Sequence, residues 1–190
     1  MATLSIVIPT LGRPTLERTL ASCADADEII VAFDKSRGAT DLPCVTPSNA
    51  KILEGSWGIT GGHGGRQEGI RHAAGTHLAF FDDDDEYTAG AIETMRDAAC
   101  DMPVIFRVRH YQHGIIWRDP NIWFGNVTTQ QYVVPNRPEL FGEWTPIRPD
   151  WPQPGGDCSF IQGCAERFGG VVWRDDVIAE MFPAPQEAAA

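Results

Sequence analysis

Three short, nearly continuous apolar runs punctuate the first half of the chain: Leu4–Ile8 (LSIVI), Glu28–Phe33 (EIIVAF) and His77–Phe81 (HLAFF). Such runs predict strands buried on both faces, as in a parallel sheet. Each runs into a polar cluster: Pro9-Thr10-Leu11-Gly12, Asp34-Lys35-Ser36 and Asp82 to Asp85. Between them the apolar spacing lengthens to that of helices. Pro14 and Thr15 open one that runs to about Cys23, with Leu16 and Leu20 on one face. Arg66 to Ala74 is a second, with Gly75 as its C-cap, and Thr88 caps a third from Ala89 to about Cys100. This order predicts an open α/β sheet whose ligands bind at the carboxyl ends of the strands.

The rest reads differently. Cys44-Val45 and Lys51–Leu53 are candidate short strands, and Gly55–Gly65 is a glycine-rich loop. Its GGHGG lacks both the GK[ST] ending of a P-loop and the GxGxxG spacing of a dinucleotide fold. Val104–Arg109 and Ile115–Arg118 predict a hairpin, Asn126–Val134 a further strand, Cys158–Phe168 a helix, Val171–Trp173 a short strand and Asp175–Met181 a closing helix. Trp117, Trp123, Trp144, Trp151 and Trp173 fall here, beside a proline-rich loop from Pro135 to Pro154. Most of these tryptophans are expected in the core, with one or two free to stack on a sugar or a base. No linker is visible, so residues 1–190 are expected to form one domain, with a change of role near 103 and a frayed tail from 183.

Composition adds bounds. With 190 residues, 43% hydrophobic and 22% charged, the chain suits one well-cored globular domain. No apolar run approaches the roughly 20 residues that span a bilayer. MATLSIVIPT reads as a first strand, not a signal peptide. Five cysteines without a CxxC pair suit a reducing compartment, so a cytosolic location is expected. The net charge of −11 opposes nucleic acid, which a local basic patch would have to hold against the field of the whole.

Four consecutive aspartates at a strand end carry the candidate chemistry. Like charges this close disfavour one another's ionisation. A hard divalent cation with oxygen ligands relieves them, and so does solvent if the run is merely an acidic turn. A calcium loop of EF-hand type is excluded, because Tyr87 stands where that loop needs glycine. Arg66 sits at a helix start, where the macrodipole disfavours a cation, so pairing with a bound anion gives it a purpose.

In order, LSIVIPTLGRPTLERTL, EIIVAFDKS, GRQEGIRHAAGTHLAFFDDDDEYTAGAIETM and GGDCSF resemble the GT-A glycosyltransferases, most of all the inverting family 2 group. The resemblance is good over 4–97 and thin over 103–176. It implies a Rossmann-like, mostly parallel sheet with flanking helices and a smaller antiparallel acceptor-side sheet. It also implies a donor half over 1–102, an acceptor half over 103–182, and transfer of a sugar from a nucleotide donor, a UDP-sugar first among them. Pro9, Thr10 and Asp34 would border the base, and Arg66 the diphosphate. Asp82 and Asp84 match the family's DxD motif. Asp82 would sit near the ribose side and share with Asp84 a Mn²⁺ or Mg²⁺ on the phosphates. Asp83 would be a donor-side residue or solvated, and Asp85 would shape the sugar site.

An inverting transfer needs a base for the acceptor hydroxyl. By resemblance GGDCSF supplies Asp157, without the usual preceding Glu, and Glu143 and Asp150 are the reserves. Phe33 stands where the family commonly has a second Asp. The acceptor could be a glycan, a small molecule, a protein side chain or a hydroxylated DNA base, with Arg107, Arg109, Arg118, Arg137 and Arg148 available to an anionic one. Two other functions compete: a sugar-1-phosphate nucleotidyltransferase, and a non-catalytic nucleotide-sugar-binding module.

Overall fold

A computed structural model describes residues 1–58, 62–144 and 156–183. Its nine strands, counted among the described residues, form one mixed sheet. The parallel part is β1 (Leu4–Thr10), β2 (Glu28–Asp34), β3 (Ala50–Gly55) and β4 (His77–Phe80), with β1 between β2 and β4. Here the apolar runs behave as expected. Side chains alternate across the sheet, so Ile6, Ile8, Ile29 and Val31 join one core cluster while Val7 and Ile30 join another. Helices α1 (Leu16–Ser22) and α3 (Ala91–Ala98) cover the first cluster with Leu16, Leu20, Ile92 and Met95. Ile70 of α2 (His63–His72) and Phe160 and Ile161 of α4 (Asp157–Phe168) cover the second.

The sheet continues from β4 without a break. The remaining strands are β5 (Glu86–Tyr87), β6 (Val104–His110), β7 (Gly114–Ile116), β8 (Tyr132–Pro135) and β9 (Val172–Met181). The order is β3-β2-β1-β4-β8-β6-β9-β5, with β7 paired to β6. Because β8 is antiparallel to β4, with Ala79 opposite Val133, the residues just before β8 lie beside those just after β4. That return puts a turn from the second half next to the aspartates.

Several local expectations change. Cys44-Val45 forms no strand, since Pro43 and Pro47 remove ladder donors on either side. Helix α2 starts at His63, so two glycines of GGHGG lie inside it. A Cβ at Gly65 would press at 3.1 Å on both Ala32 and Pro9, and one at Gly69 would run into Val7, so these glycines let the helix lie directly on β1 and β2. Gly75 is not its C-cap, for Ala73 already takes an extended conformation, and Gly75 N–H instead donates to Ser5 Oγ at 2.8 Å. Thr88 caps nothing; Gly90 precedes α3, and the Thr88 hydroxyl donates to the Val177 carbonyl. The strand expected over 126–134 begins only at Tyr132, after a 3-10 turn at Thr129–Gln131. The expected closing helix is part of β9, which pairs in parallel with β6 and antiparallel with β5. Of the tryptophans, Trp117 is buried, Trp144 and Trp173 pack partly buried on the second cluster, and Trp123 is exposed. Trp151, Asp150, Arg148 and the tail from 184 lie outside the described residues. Among the described residues no helix is long and apolar enough to cross a membrane.

Candidate active site

A cleft of about 380 Å³ opens where β1 and β4 end and α2 begins. The strand order reverses there, with β2 on one side of β1 and β4 on the other, and a crevice forms at such a point. Pro9 and Thr10 line it from β1, Arg66 from α2, Asp82 to Asp84 from the end of β4, and Asp157 from the first residue of α4. Leu11, Arg13, Arg37, Gly62 and His63 complete the lining.

Past the end of β4 the aspartates turn, with the Asp85 N–H directed at the Asp82 carbonyl, so Asp83 and Asp84 share Arg13 while Asp82 and Asp85 share Gln130. Asp82 Oδ1 forms an ion pair with Arg66, and its Oδ2 accepts a hydrogen bond from Gln130 Nε2 at 2.8 Å. Asp83, expected on the donor side or in solvent, is buried. Thr10 Oγ1 donates to it at 2.6 Å and Arg13 Nη1 at 3.0 Å. Burial nonetheless raises its pKa, against the pull of Thr10 and Arg13. Arg13 Nη1 also lies 3.2 Å from Asp84 Oδ2. Burial, then the charges of Asp82 and Asp83, push the Asp84 carboxyl up to about 6. Asp85 accepts from Gln130 Nε2 at 2.5 Å and from Phe182 N–H at 2.9 Å, yet burial and the charge of Asp82 push it to about 8.

Arg66 is 3% exposed, and its guanidinium lies 5.1 Å over the Trp144 ring. Burial disfavours its charge, but Asp82 and Asp157 outweigh that and raise its pKa. His63, 5.7 Å from Trp144, is held neutral at pH 7 by burial and by Arg66. Asp157 Oδ2 accepts the Thr129 N–H at 3.3 Å. Asp34 is not among the lining residues. It caps the turn at Lys35–Arg37, accepting from Ser36 N–H at 2.8 Å and Trp57 N–H at 3.3 Å, and these bonds outweigh burial to lower its pKa. Glu143 is exposed and outside the lining. Sequence reasoning missed Arg13, Arg37, His63 and Gln130.

Among the described residues no cluster of three or more His, Cys, Asp or Glu side chains forms a metal cage. The donor set suits a different arrangement. Mg²⁺ and related ions take one or two carboxylates and complete their shell with phosphates and water. The raised pKa values of Asp84 and Asp85 come first from burial and then from the neighbouring carboxylates.

This sets a pH dependence. An acid with its folded pKa above its unfolded value of about 3.9 contributes stability at low pH that is lost as pH climbs through the folded pKa. Below about 6.5 the lowered His63 pKa works the other way. The clean window is therefore pH 6.5 to 8, where Asp85 titrates. In EDTA the melting temperature is expected to fall across it, and Asp85→Asn to flatten the fall. A flat or rising wild-type curve over that range would contradict the assigned burial.

Residues 5–153 match the profile of Glycosyl transferase family 2. The chain belongs to this glycosyltransferase family. The GalNAc(5)-diNAcBac-PP-undecaprenol beta-1,3-glucosyltransferase of Campylobacter jejuni is 32% identical over 111 residues, 52% of this chain and 35% of that enzyme. The crystal structure of S. aureus TarS 1-349 superposes with a TM-score of 0.65 at 16% identity, covering 94% of this chain and 60% of that one. TarS 1-349 in complex with UDP-GlcNAc gives 0.65 at 14% identity, covering 97% and 60%. At such identities the TarS likeness shows the fold, which is the GT-A type expected from the motifs. The family 2 chain thus spans about a third of its curated relative and 60% of TarS 1-349.

Proposed function

We propose that this family 2 chain transfers a sugar from a UDP-sugar to an acceptor hydroxyl, with inversion and with a bound Mn²⁺ or Mg²⁺. The observation that carries the reading is the convergence of Asp84, Arg66 and Asp157 on one cleft. A uridine donor draws support from the shared fold of TarS, whose complex holds UDP-GlcNAc.

Residues 1–102 would form the donor half and 103–182 the acceptor half. Pro9 and Thr10 would border the base, with Asp34 acting from behind through the turn that carries Arg37. Asp82 and Asp83 would lie on the donor side, Asp82 near the ribose. Asp84, with Asp82, would hold the cation, which as a Lewis acid offsets charge on the departing diphosphate. Asp157 takes the proton from the acceptor hydroxyl. Its Oδ2 is engaged by Thr129 N–H, which leaves Oδ1 for that proton. The acceptor oxygen then attacks the anomeric carbon from the face opposite the diphosphate. The bond from that carbon to the phosphate oxygen breaks, and its electron pair leaves with UDP. Arg66 and Arg13 supply fixed positive charge where that negative charge develops.

Of the described basic residues named for an anionic acceptor, three are held in ion pairs, and Arg118 is exposed. Arg107 is paired with Asp175 at 2.7 Å, Arg109 with Glu180 at 3.0 Å and Arg137 with Glu139 at 3.4 Å. A neutral glycan or small-molecule hydroxyl fits this surface better than nucleic acid.

The test is UDP release from UDP-glucose, UDP-galactose and UDP-GlcNAc, with Mn²⁺ or with EDTA. Release from one donor that stops in EDTA supports the reading. Pyrophosphate formed from UTP and a sugar 1-phosphate, with no UDP from any donor, would replace it with nucleotidyl transfer.

A further inference from the structure

The turn at Thr128–Gln131 touches both ends of the cleft. Its sequence, TTQQ, carries a capping box. The Thr128 side chain bonds the Gln131 backbone, while Gln131 Oε1 accepts from Thr128 N–H at 2.6 Å. Gln131 Nε2 also donates to the Phe106 carbonyl at 3.0 Å, which ties the turn to β6. The turn is buried, with Thr129, Gln130 and Gln131 at 1, 2 and 0% exposure.

Two groups project from this frame. The Gln130 amide divides its two N–H bonds between Asp82 Oδ2 and Asp85 Oδ2. The other oxygens of those carboxylates go to Arg66 and Phe182 N–H, so both side chains are held at each end. Gln130 Oε1 has no partner among the described residues, so the side chain is held by its amide nitrogen alone. One residue earlier, Thr129 N–H holds Asp157 Oδ2. A rigid three-residue turn thereby sets the spacing between the donor-side aspartates and the carboxylate opposite them.

We propose that Gln130 and the Thr129 N–H are paired positioning elements of the transfer reaction. Gln130 aims Asp82 at the donor, with the buried Asp85, outside the cleft lining, as its second anchor, and Thr129 N–H aims Asp157 at the acceptor hydroxyl. The inference rests on the functional reading above. It assigns the two ends of the site to two separable bonds of one turn.

Those bonds can be cut one at a time. Gln130→Met keeps the length of the side chain and removes the amide. Thr129→Pro removes one backbone N–H at the first position of the 3-10 turn, where proline fits. The preceding Thr128, at φ −126 and ψ 170, already has the extended backbone that a following proline demands.

The experiment measures UDP-sugar affinity by calorimetry, kcat and KM for transfer, and the melting temperature, all in Mn²⁺. A lost hydrogen bond to a charged group weakens its function by roughly tenfold or more. Gln130→Met is therefore expected to raise the donor KM and dissociation constant by about that factor. Thr129→Pro is expected to leave donor affinity within about twofold and lower kcat by about tenfold. Equal loss of donor affinity and kcat in both variants, following their melting temperatures, would mean that the turn is only structural. Donor affinity unchanged in Gln130→Met would overturn the assignment even if that variant melts lower. Wild-type protein that neither binds nor turns over any UDP-sugar would instead remove the functional reading, and the proposal with it.

Discussion

Asp84→Asn is expected to slow sugar transfer roughly a thousandfold, with the metal contribution of about 4 kcal/mol lost at 1.36 kcal/mol per decade. Stability is expected to move the other way. The Asp84 carboxyl is buried beside Asp82 and Asp83 and pushed up to about 6, so at pH 7.5 its charge opposes folding of the metal-free protein. The amide keeps the shape without the charge. In EDTA at pH 7.5 the variant should melt at or above the wild-type temperature. Activity assays and melting curves on the same preparations check both halves. Transfer near the wild-type rate would remove Asp84 from the reaction, and a melting temperature several degrees lower would show that its charge is already satisfied by Arg13.

Asp157→Asn should reduce kcat by about 10²- to 10⁴-fold, the range of a lost general base, while the donor dissociation constant stays near its wild-type value. The residue lines the same cleft as the aspartates, and among the described residues no hydrogen bond joins it to them. Donor binding should then feel its charge only through the support that it lends Arg66. The amide can still accept from Thr129 N–H but cannot take a proton from the acceptor. Glu143→Gln serves as the comparison, since Glu143 is exposed and outside the cleft lining, and its kcat should stay within about twofold of wild type. Reversed results for the two variants would move the base to Glu143.

The parallel half of the fold was legible because its strands are buried on both faces. Burial of that kind leaves unbroken apolar runs, and Ile6 to Ile8 and Ile29 to Phe33 are fully buried. Of the last strand only the start, expected at Val171–Trp173, was legible. Val177 to Met181 ends in Ala179, Glu180 and Met181, good helix formers, and only pairing with β6 on one side and β5 on the other makes them a strand. The aspartate run, the helix-start Arg66 and the later Asp157, each singled out in the sequence, line one cleft.

Contacts between distant segments were harder to foresee. Asp83 reads as one more surface carboxylate until β1 and β4 are paired, which brings Thr10 and Arg13 against it. Gln130 needs one step more. Its place beside Asp82 follows from the antiparallel return of β8 along β4, a register that no local pattern encodes. Its signal was nonetheless present, because Thr128-x-x-Gln131 is a capping-box sequence and marks a turn where a continuous strand was expected.

On the proposed function, this cleft holds a nucleotide-sugar through a divalent cation. The decisive measurement is isothermal titration of UDP-GlcNAc and UDP-glucose into the protein, in Mn²⁺ and again in EDTA. Saturable binding of one donor in Mn²⁺, weakened at least about tenfold in EDTA and in Asp84→Asn, is the predicted result. Equal affinity with and without the cation would contradict the claim and leave Arg13, already on Asp83 and Asp84, as the positive charge that serves in its place.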